Sequence, residues 1–251
     1  MSKVIIITGS SGGVGSELVK EYLADDYVIF GLDVTKKEFH SENYFHIDCN
    51  LLDFSKDINY RTSLLNNIKQ KFPKDIDEFI ILNNAANQVI KDFNSAEWED
   101  WDVSLNINTI APFFLIQSFS EHLCHCKGKV INISSIHAKQ TKRGFSIYAA
   151  SKSALESLTR SLAIELSPYG VSVNAVSPAA IRTEMLLDGF KDDQSRLKEL
   201  EEFHPSRSIG SPKDLAIFIK ALTDFNGRFL TGSNIEFNGG ISGVLNDPES
   251  N

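Results

Sequence analysis

Short uninterrupted apolar runs alternate along this chain with longer stretches in which apolar residues return every three or four positions. The first run, Val4-Ile5-Ile6-Ile7, is β-branched throughout and suits a strand covered on both faces, as in a parallel sheet. After a glycine-rich turn, Leu18, Val19, Tyr22 and Leu23 recur at helical spacing. Residues 27–32 and 79–82 are further strand runs, and residues 46–51 close another. The polar stretch 53–72, with apolar points at Ile58, Leu64, Leu65, Ile68 and Phe72, reads as a crossover ending in a helix. Trp98, Trp101, Leu105 and Ile107 open a long helix, and residues 129–135 form a fifth strand. Ala154, Leu155, Leu158, Leu162 and Ile164 carry a helix from Tyr148 to the stop at Pro168-Tyr169-Gly170. A strand at 171–176, a helix from Pro212 capped by Ser211, and a last strand within 230–240 complete the order. Strands separated by helix-length crossovers predict an α/β fold around a parallel sheet.

Composition narrows the class. A chain of 251 residues, 42% hydrophobic and 23% charged, can bury a full core as one domain, and no linker, repeat or low-complexity segment divides it. The net charge of −8 offers no basic excess for phosphates, so a general nucleic-acid partner is not expected. No apolar run reaches membrane-spanning length, and the N-terminal run is too short for a signal peptide, so a cytoplasmic protein is expected. Three cysteines, Cys49, Cys124 and Cys126, fit a reducing compartment. His122, Cys124, His125 and Cys126 lie close together, but not at structural zinc spacing, so no metal site is expected.

Candidate chemistry begins where the first strand ends. Thr8-Gly9-Ser10-Ser11-Gly12-Gly13-Val14-Gly15 stands between strand and helix, where glycines let backbone approach a pyrophosphate and a helix N-terminus offers free N–H groups. Asp33 ends the second strand, about 20 residues on, where a carboxylate accepts bonds from adenosine ribose hydroxyls and repels a 2′-phosphate. Neither Gly12 nor Val34 is basic, which favours NAD over NADP, although Lys36 and Lys37 are near. Further on, Tyr148 and Lys152 share a helix face. A phenol titrates at about 10, and a neighbouring ammonium would draw that value down and make the pair a proton-transfer unit.

These motifs, in this order, resemble the short-chain dehydrogenase/reductase superfamily, classical type. Gly9, Gly13 and Gly15 match its Thr-Gly-x-x-x-Gly-x-Gly opening; Gly9, Gly12 and Gly15 also fit the extended type, and the opening alone leaves both open. Asn83-Asn84-Ala85-Ala86 is similar to the family's Asn-Asn-Ala-Gly, Ala86 replacing glycine. Ser135 stands thirteen residues before Tyr148, the family's spacing from catalytic serine to tyrosine, whereas Ser134 fits less well and faces the other way along the strand. The resemblance implies a single-domain Rossmann-type doubly wound parallel sheet flanked by helices on both faces. It assigns catalysis to Asn108, Ser135, Tyr148 and Lys152, with Asn106 as a structural alternative to Asn108. It assigns cofactor binding to Gly9, Ser11, Gly13, Val14, Gly15, Asp33, Asp48 (at adenine), Asn84, Ala85, Tyr148, Lys152, Pro178, Ile181 and Thr183, with Asn83 holding the central sheet. Ala179 replaces a family glycine beside Pro178, in a turn that prefers glycine's freedom.

The implied function is hydride transfer between NAD(H) and a secondary alcohol or ketone, a small-molecule substrate. Lys139, Lys142 and Arg143, in the loop before Tyr148, suit an anionic one: an acidic sugar, a sugar nucleotide or a carrier-bound acyl group. His137 is read either as a substrate contact or as packing. Residues from about 182 to 208 occupy the position of the family's substrate lid, and the tail beyond residue 246 is read as frayed. A homotetramer or homodimer is implied through the last helix and strand and the long middle helices. Two alternatives stay open: an extended-type epimerase or dehydratase, and a non-catalytic NAD-binding sensor or scaffold.

Overall fold

A computed structural model describes residues 2–190 and 193–245. The tail read as frayed, and Lys191 and Asp192 within the lid segment, lie outside the described residues. Seven parallel strands form one sheet in the order β3-β2-β1-β4-β5-β6-β7, where β1 is Lys3–Thr8, β2 Val28–Asp33, β3 Tyr44–Asp48, β4 Glu78–Asn83, β5 Lys129–Ile133, β6 Ser172–Pro178 and β7 Asn234–Phe237. Helix α1 (Gly13–Leu23) follows β1. Helix α2 (Leu51–Lys56) precedes α3 (Ile58–Lys69), the helix that ends the crossover. Then come α4 (Trp98–Leu105), α5 (Ala111–Ser118), α6 (Ser120–Cys126), α7 (Ser146–Leu166), α8 (Glu184–Asp188), α9 (Gln194–Phe203) and α10 (Pro212–Asp224).

Strand alternation splits the core in two, because successive side chains point to opposite faces. Val4, Ile6, Phe79, Ile81 and Val130 pack under α3, α5, α6 and α7, with Leu115, Phe119 and Leu162. Ile5, Ile7, Ile80, Leu82 and Ile131 pack under α1 and α10, with Leu18, Tyr22, Leu215 and Ile219. The doubly wound architecture follows directly from these continuous apolar strands. His122 joins the first core, edge-on to Phe72 at 5.3 Å, and Cys126 Sγ reaches the Ile76 carbonyl at 3.2 Å.

Two features depart from the sequence pattern. Ile164, read as part of the apolar period of α7, is 75% exposed, because two residues past Leu162 carry it round to the opposite side of the helix. The long middle helix is also interrupted: residues Asn106–Ile110 form a π-turn between α4 and α5, in which the Ala111 N–H reaches back to the Asn106 carbonyl.

Candidate active site

The C-terminal edge of the sheet collects the singled-out residues. Gly9 follows β1, Asp33 ends β2, Asp48 ends β3 beside it in register, Asn84 and Ala85 follow β4, Ser135 follows β5 and Pro178 ends β6. The chain leaves β1 for β2 on one side and returns as β4 on the other. A crevice therefore opens outside β1 and β4, the switch point where open α/β sheets take ligands.

Three glycines make the crevice close-fitting. Gly9 holds a left-handed φ of 66°, and a Cβ there would lie 2.9 Å from the Ala85 Cα. A Cβ on Gly15 would lie 1.9 Å from the Gly9 carbonyl oxygen, and one on Gly13 would lie 3.0 Å from Thr183 Cγ2. At Gly12 the nearest atom would be 3.6 Å away, so the structural demand falls on Gly9, Gly13 and Gly15, the spacing of the classical type. Asn84 bolts this turn to β4: its amide donates to the Thr8 and Gly9 carbonyls at 3.0 Å, while Thr8 Oγ1 accepts from the Asn84 and Ala85 N–H groups. Helix α1 starts without a side-chain cap, so its first turn, with Val14, presents N–H groups to an incoming anion. Asp33 braces the same turn, accepting from the Ser11 N–H and the Thr35 N–H at 2.9 Å each. Each carboxylate oxygen keeps a second lone pair for a ribose hydroxyl. A cradle that side chains would fill, beside a carboxylate, fits a dinucleotide.

Tyr148 sits in the first turn of α7, buried, with Ser135 beside it. Burial raises the phenol above its ordinary value, and the neighbouring Ser135 hydroxyl acts to lower it. Ser135 also accepts from the His137 N–H at 3.2 Å, which fixes the turn between β5 and α7. Lys152 departs from its sequence reading. Its Nζ donates to the Ile133 carbonyl at 2.7 Å and lies 5.8 Å from the Tyr148 ring centre, and burial, not the lysine, sets the direction of that phenol's shift. Complete burial instead pushes the Lys152 ammonium down to about 7. Desolvation, which disfavours both charged forms, outweighs their mutual attraction here.

Asn108 lies inside the π-turn, 1% exposed. Its amide accepts from the Asn87 N–H and donates to the Asn87 carbonyl, both at 2.8 Å, and donates to Ser151 Oγ at 2.9 Å. Ser151 donates in turn to the Tyr148 carbonyl, so Asn108 joins the loop after β4 to the helix that carries Tyr148. Asn106 faces away, accepting from Ser55 Oγ on α2 at 2.9 Å. Asn83 donates to Asn132 on β5 at 2.7 Å, tying β4 to β5.

The wall after β6 is held by the Ile181 bridge to Gly210, and Thr183 caps α8. Ala86 and Ala179 are absent from the described non-glycine residues with left-handed backbone, which are Asp26, Lys127 and Arg207. The glycine preference read at Ala179 is therefore not exercised, and the alanine fits without strain. An ion pair from Arg182 to Glu201 ties α9 back to this wall.

On the substrate side, His137 stacks on Phe145 at 4.3 Å, with Tyr148 at 6.0 Å, and burial and Lys142 push its imidazole down to about 4. The basic cluster is smaller than the sequence suggests, since Lys139 pairs with Glu236 at 3.1 Å. Sequence reasoning also passed over Tyr44. Its hydroxyl lies 3.2 Å from Ser10 Oγ, and a Cβ on Gly31 would lie 2.5 Å from it.

A family described as enoyl-(acyl carrier protein) reductase matches residues 14–242. The acetoacetyl-CoA reductase of Acinetobacter sp. (strain RA3849) is 25% identical over 244 residues, spanning 95% of this chain and 97% of that protein. The (2S)-[(R)-hydroxy(phenyl)methyl]succinyl-CoA dehydrogenase subunit BbsD of Thauera aromatica is 29% identical over 248 residues, spanning 96% and 97%. Among solved structures, 4-hydroxyisoleucine dehydrogenase complexed with NADH has a TM-score of 0.86 at 25% identity, covering 97% of this chain and 100% of that one. ElxO with NADP bound has a TM-score of 0.85 at 25% identity, with the same coverage.

Proposed function

The chain belongs to the short-chain dehydrogenase/reductase family and is an oxidoreductase that uses a nicotinamide cofactor; on that premise we propose that it interconverts an anionic secondary alcohol and its ketone with NAD(H). The observation that carries the reading is the Ser135–Tyr148 hydroxyl pair, with Lys152 one turn on, at the same strand ends as the glycine cradle. The nicotinamide, when bound, supplies the hydride chemistry. Gly9, Gly13, Gly15 and the first turn of α1 hold the pyrophosphate; Asp33 takes the adenosine ribose and Asp48 borders adenine. Asn84 and Ala85 shape the floor, and Pro178, Ile181 and Thr183 form the far wall. Tyr148 gives or takes the hydroxyl proton, and Ser135 holds the substrate oxygen as charge develops on it. Lys152, one turn beyond Tyr148, would hold the nicotinamide ribose. Asn108 keeps the loop after β4 in register with α7.

The NAD preference rests on Asp33, and on Lys36, whose charge is already paired with Glu38 at 3.0 Å. The anionic substrate rests on Lys142 and Arg143. It is also supported by relatives named for acetoacetyl-CoA and a substituted succinyl-CoA, so acyl thioesters stand beside acidic sugars and sugar nucleotides as the class to test. A cytoplasmic homodimer or homotetramer belongs to the same reading. The test is oxidation of NADH and NADPH over acetoacetyl-CoA, acidic sugars and neutral ketones. NADH with an anionic ketone should give the highest kcat/KM. Tyr148→Phe should lower kcat by about 10²–10⁴-fold, the range of general acid–base catalysis, with NADH affinity within about twofold. Faster turnover with NADPH, or an active Tyr148→Phe enzyme, would contradict the assignment.

A further inference from the structure

Helix α7 carries one more ionisable side chain on its buried face. Glu156, one turn beyond Lys152, is 5% exposed and has no part in the roles given above. Its Oε1 receives the Asn234 amide at 2.7 Å, the Ser177 hydroxyl at 2.8 Å and the Ser134 hydroxyl at 3.1 Å. The Ser177 hydroxyl, with one proton to give, also stands 2.7 Å from Asn234 Oδ1, so α7, β6 and the first residue of β7 close a ring. Ser134 brings in the end of β5 and lies 3.4 Å from the Lys152 carbonyl. All three donors are neutral. A buried carboxyl is costly unless it is hydrogen-bonded, and an apolar residue of similar size would pack this helix face with less penalty.

The donors' places in the chain give the arrangement its meaning. Ser134 immediately precedes Ser135, and Ser177 immediately precedes Pro178. On extended backbone, fixing one side chain towards α7 fixes the direction of the next. We propose that Glu156 is a positioning residue, which clamps the ends of β5 and β6 and the start of β7 onto α7 and so sets Ser135 beside Tyr148. The clamp touches neither substrate nor cofactor, and the proposal rests on the hydride-transfer reading of the site.

The test is steady-state kinetics with a structural control. Glu156→Ala should lose about 10–100-fold in kcat, as misplacement of a reacting group by a fraction of an ångström does, with the KM for NADH within about threefold. Glu156→Gln, which keeps a carbonyl oxygen for the three donors, should recover to within about threefold of wild type. Ser134→Ala should lose about tenfold, and combining it with Glu156→Ala should cost no more than Glu156→Ala alone, since both act through one contact. A folded Glu156→Ala protein with lower Tm and full kcat would reduce the clamp to ordinary packing, and a glutamine variant as impaired as alanine would also overturn it. Should Glu156→Ala fail to fold, full kcat in Ser134→Ala is the overturning result. If wild type turns over nothing in the panel, the functional reading fails separately. Crystal structures of wild type and Ser134→Ala then decide the clamp: displacement of Ser135 from Tyr148 in the variant supports it, and an unchanged Ser135–Tyr148 separation overturns it.

Discussion

At Lys152, helical spacing and environment act in opposite directions. The four-residue step from Tyr148 makes the two side chains neighbours, and that much is legible in the sequence. The extent of burial is not, because it depends on the end of β5 closing over the helix, and burial decides the charge. With its folded value near 7 against 10.5 for an ordinary lysine, Lys152 binds its proton less readily folded than unfolded. Between those values the unfolded chain holds the extra proton, so stability rises with pH across the window and falls as pH drops towards 7. Lys152→Met removes that linkage. The Tm of wild type relative to Lys152→Met should climb between pH 7 and pH 10 by differential scanning calorimetry, and parallel Tm curves would refute the assignment. Glu156 marks the opposite limit of sequence reading. A glutamate in an amphipathic helix reads as a solvent-facing residue until the strand ends it meets are known.

The glycine turn shows how an element can be legible in type and ambiguous in detail. Strand, glycines and amphipathic helix identify it, but two overlapping glycine patterns fit the letters, and only the through-space surroundings of Gly12 and Gly13 separate them. Gly15→Ala drives a methyl into the Gly9 carbonyl, so NADH affinity should fall more than about tenfold, measured by fluorescence titration, together with Tm. Gly12 has extended backbone, with φ −70° and ψ 174°, and room for a methyl, so Gly12→Ala should stay within about twofold. Equal losses in the two variants would return the ambiguity. The π-turn at Asn106–Ile110 is the converse case. The two asparagines mark an unfavourable helical stretch, but the extra residue in the turn sends one towards α2 and the other towards the active site, and no propensity scale carries that information.

At the scale of the whole molecule, the fully apolar strands announced a parallel sheet covered on both sides, and the alternation of elements announced the winding. What remained unreadable was the outer surface. Ile164 on α7 and Trp98 on α4 look like core in the sequence and stand 75% and 76% exposed. The resemblance gives these middle helices to a subunit contact, and large apolar groups left in water are consistent with one. Light scattering coupled to gel filtration should therefore return a dimer or tetramer, and Ile164→Asp a smaller species; a monomeric wild type would remove the oligomer from the reading.

The sheet order also bears on how the protein is made. A ribosome delivers β1 first, yet β1 must wait for β4, with Lys3 paired to Glu78, before its second edge is closed. Parallel pairings across such separations form slowly, because loop closure precedes any gain. Asn234, one of the three donors to Glu156, is among the last residues of the sheet to be synthesised. The strand ends around Ser135 and Tyr148 thus acquire their final anchorage only once β7 is made, long after residues 3–84 have supplied the glycine turn and Asp33. A nascent chain would therefore carry the glycine turn and Asp33 well before the strand ends that bring Ser135 to Tyr148 are anchored.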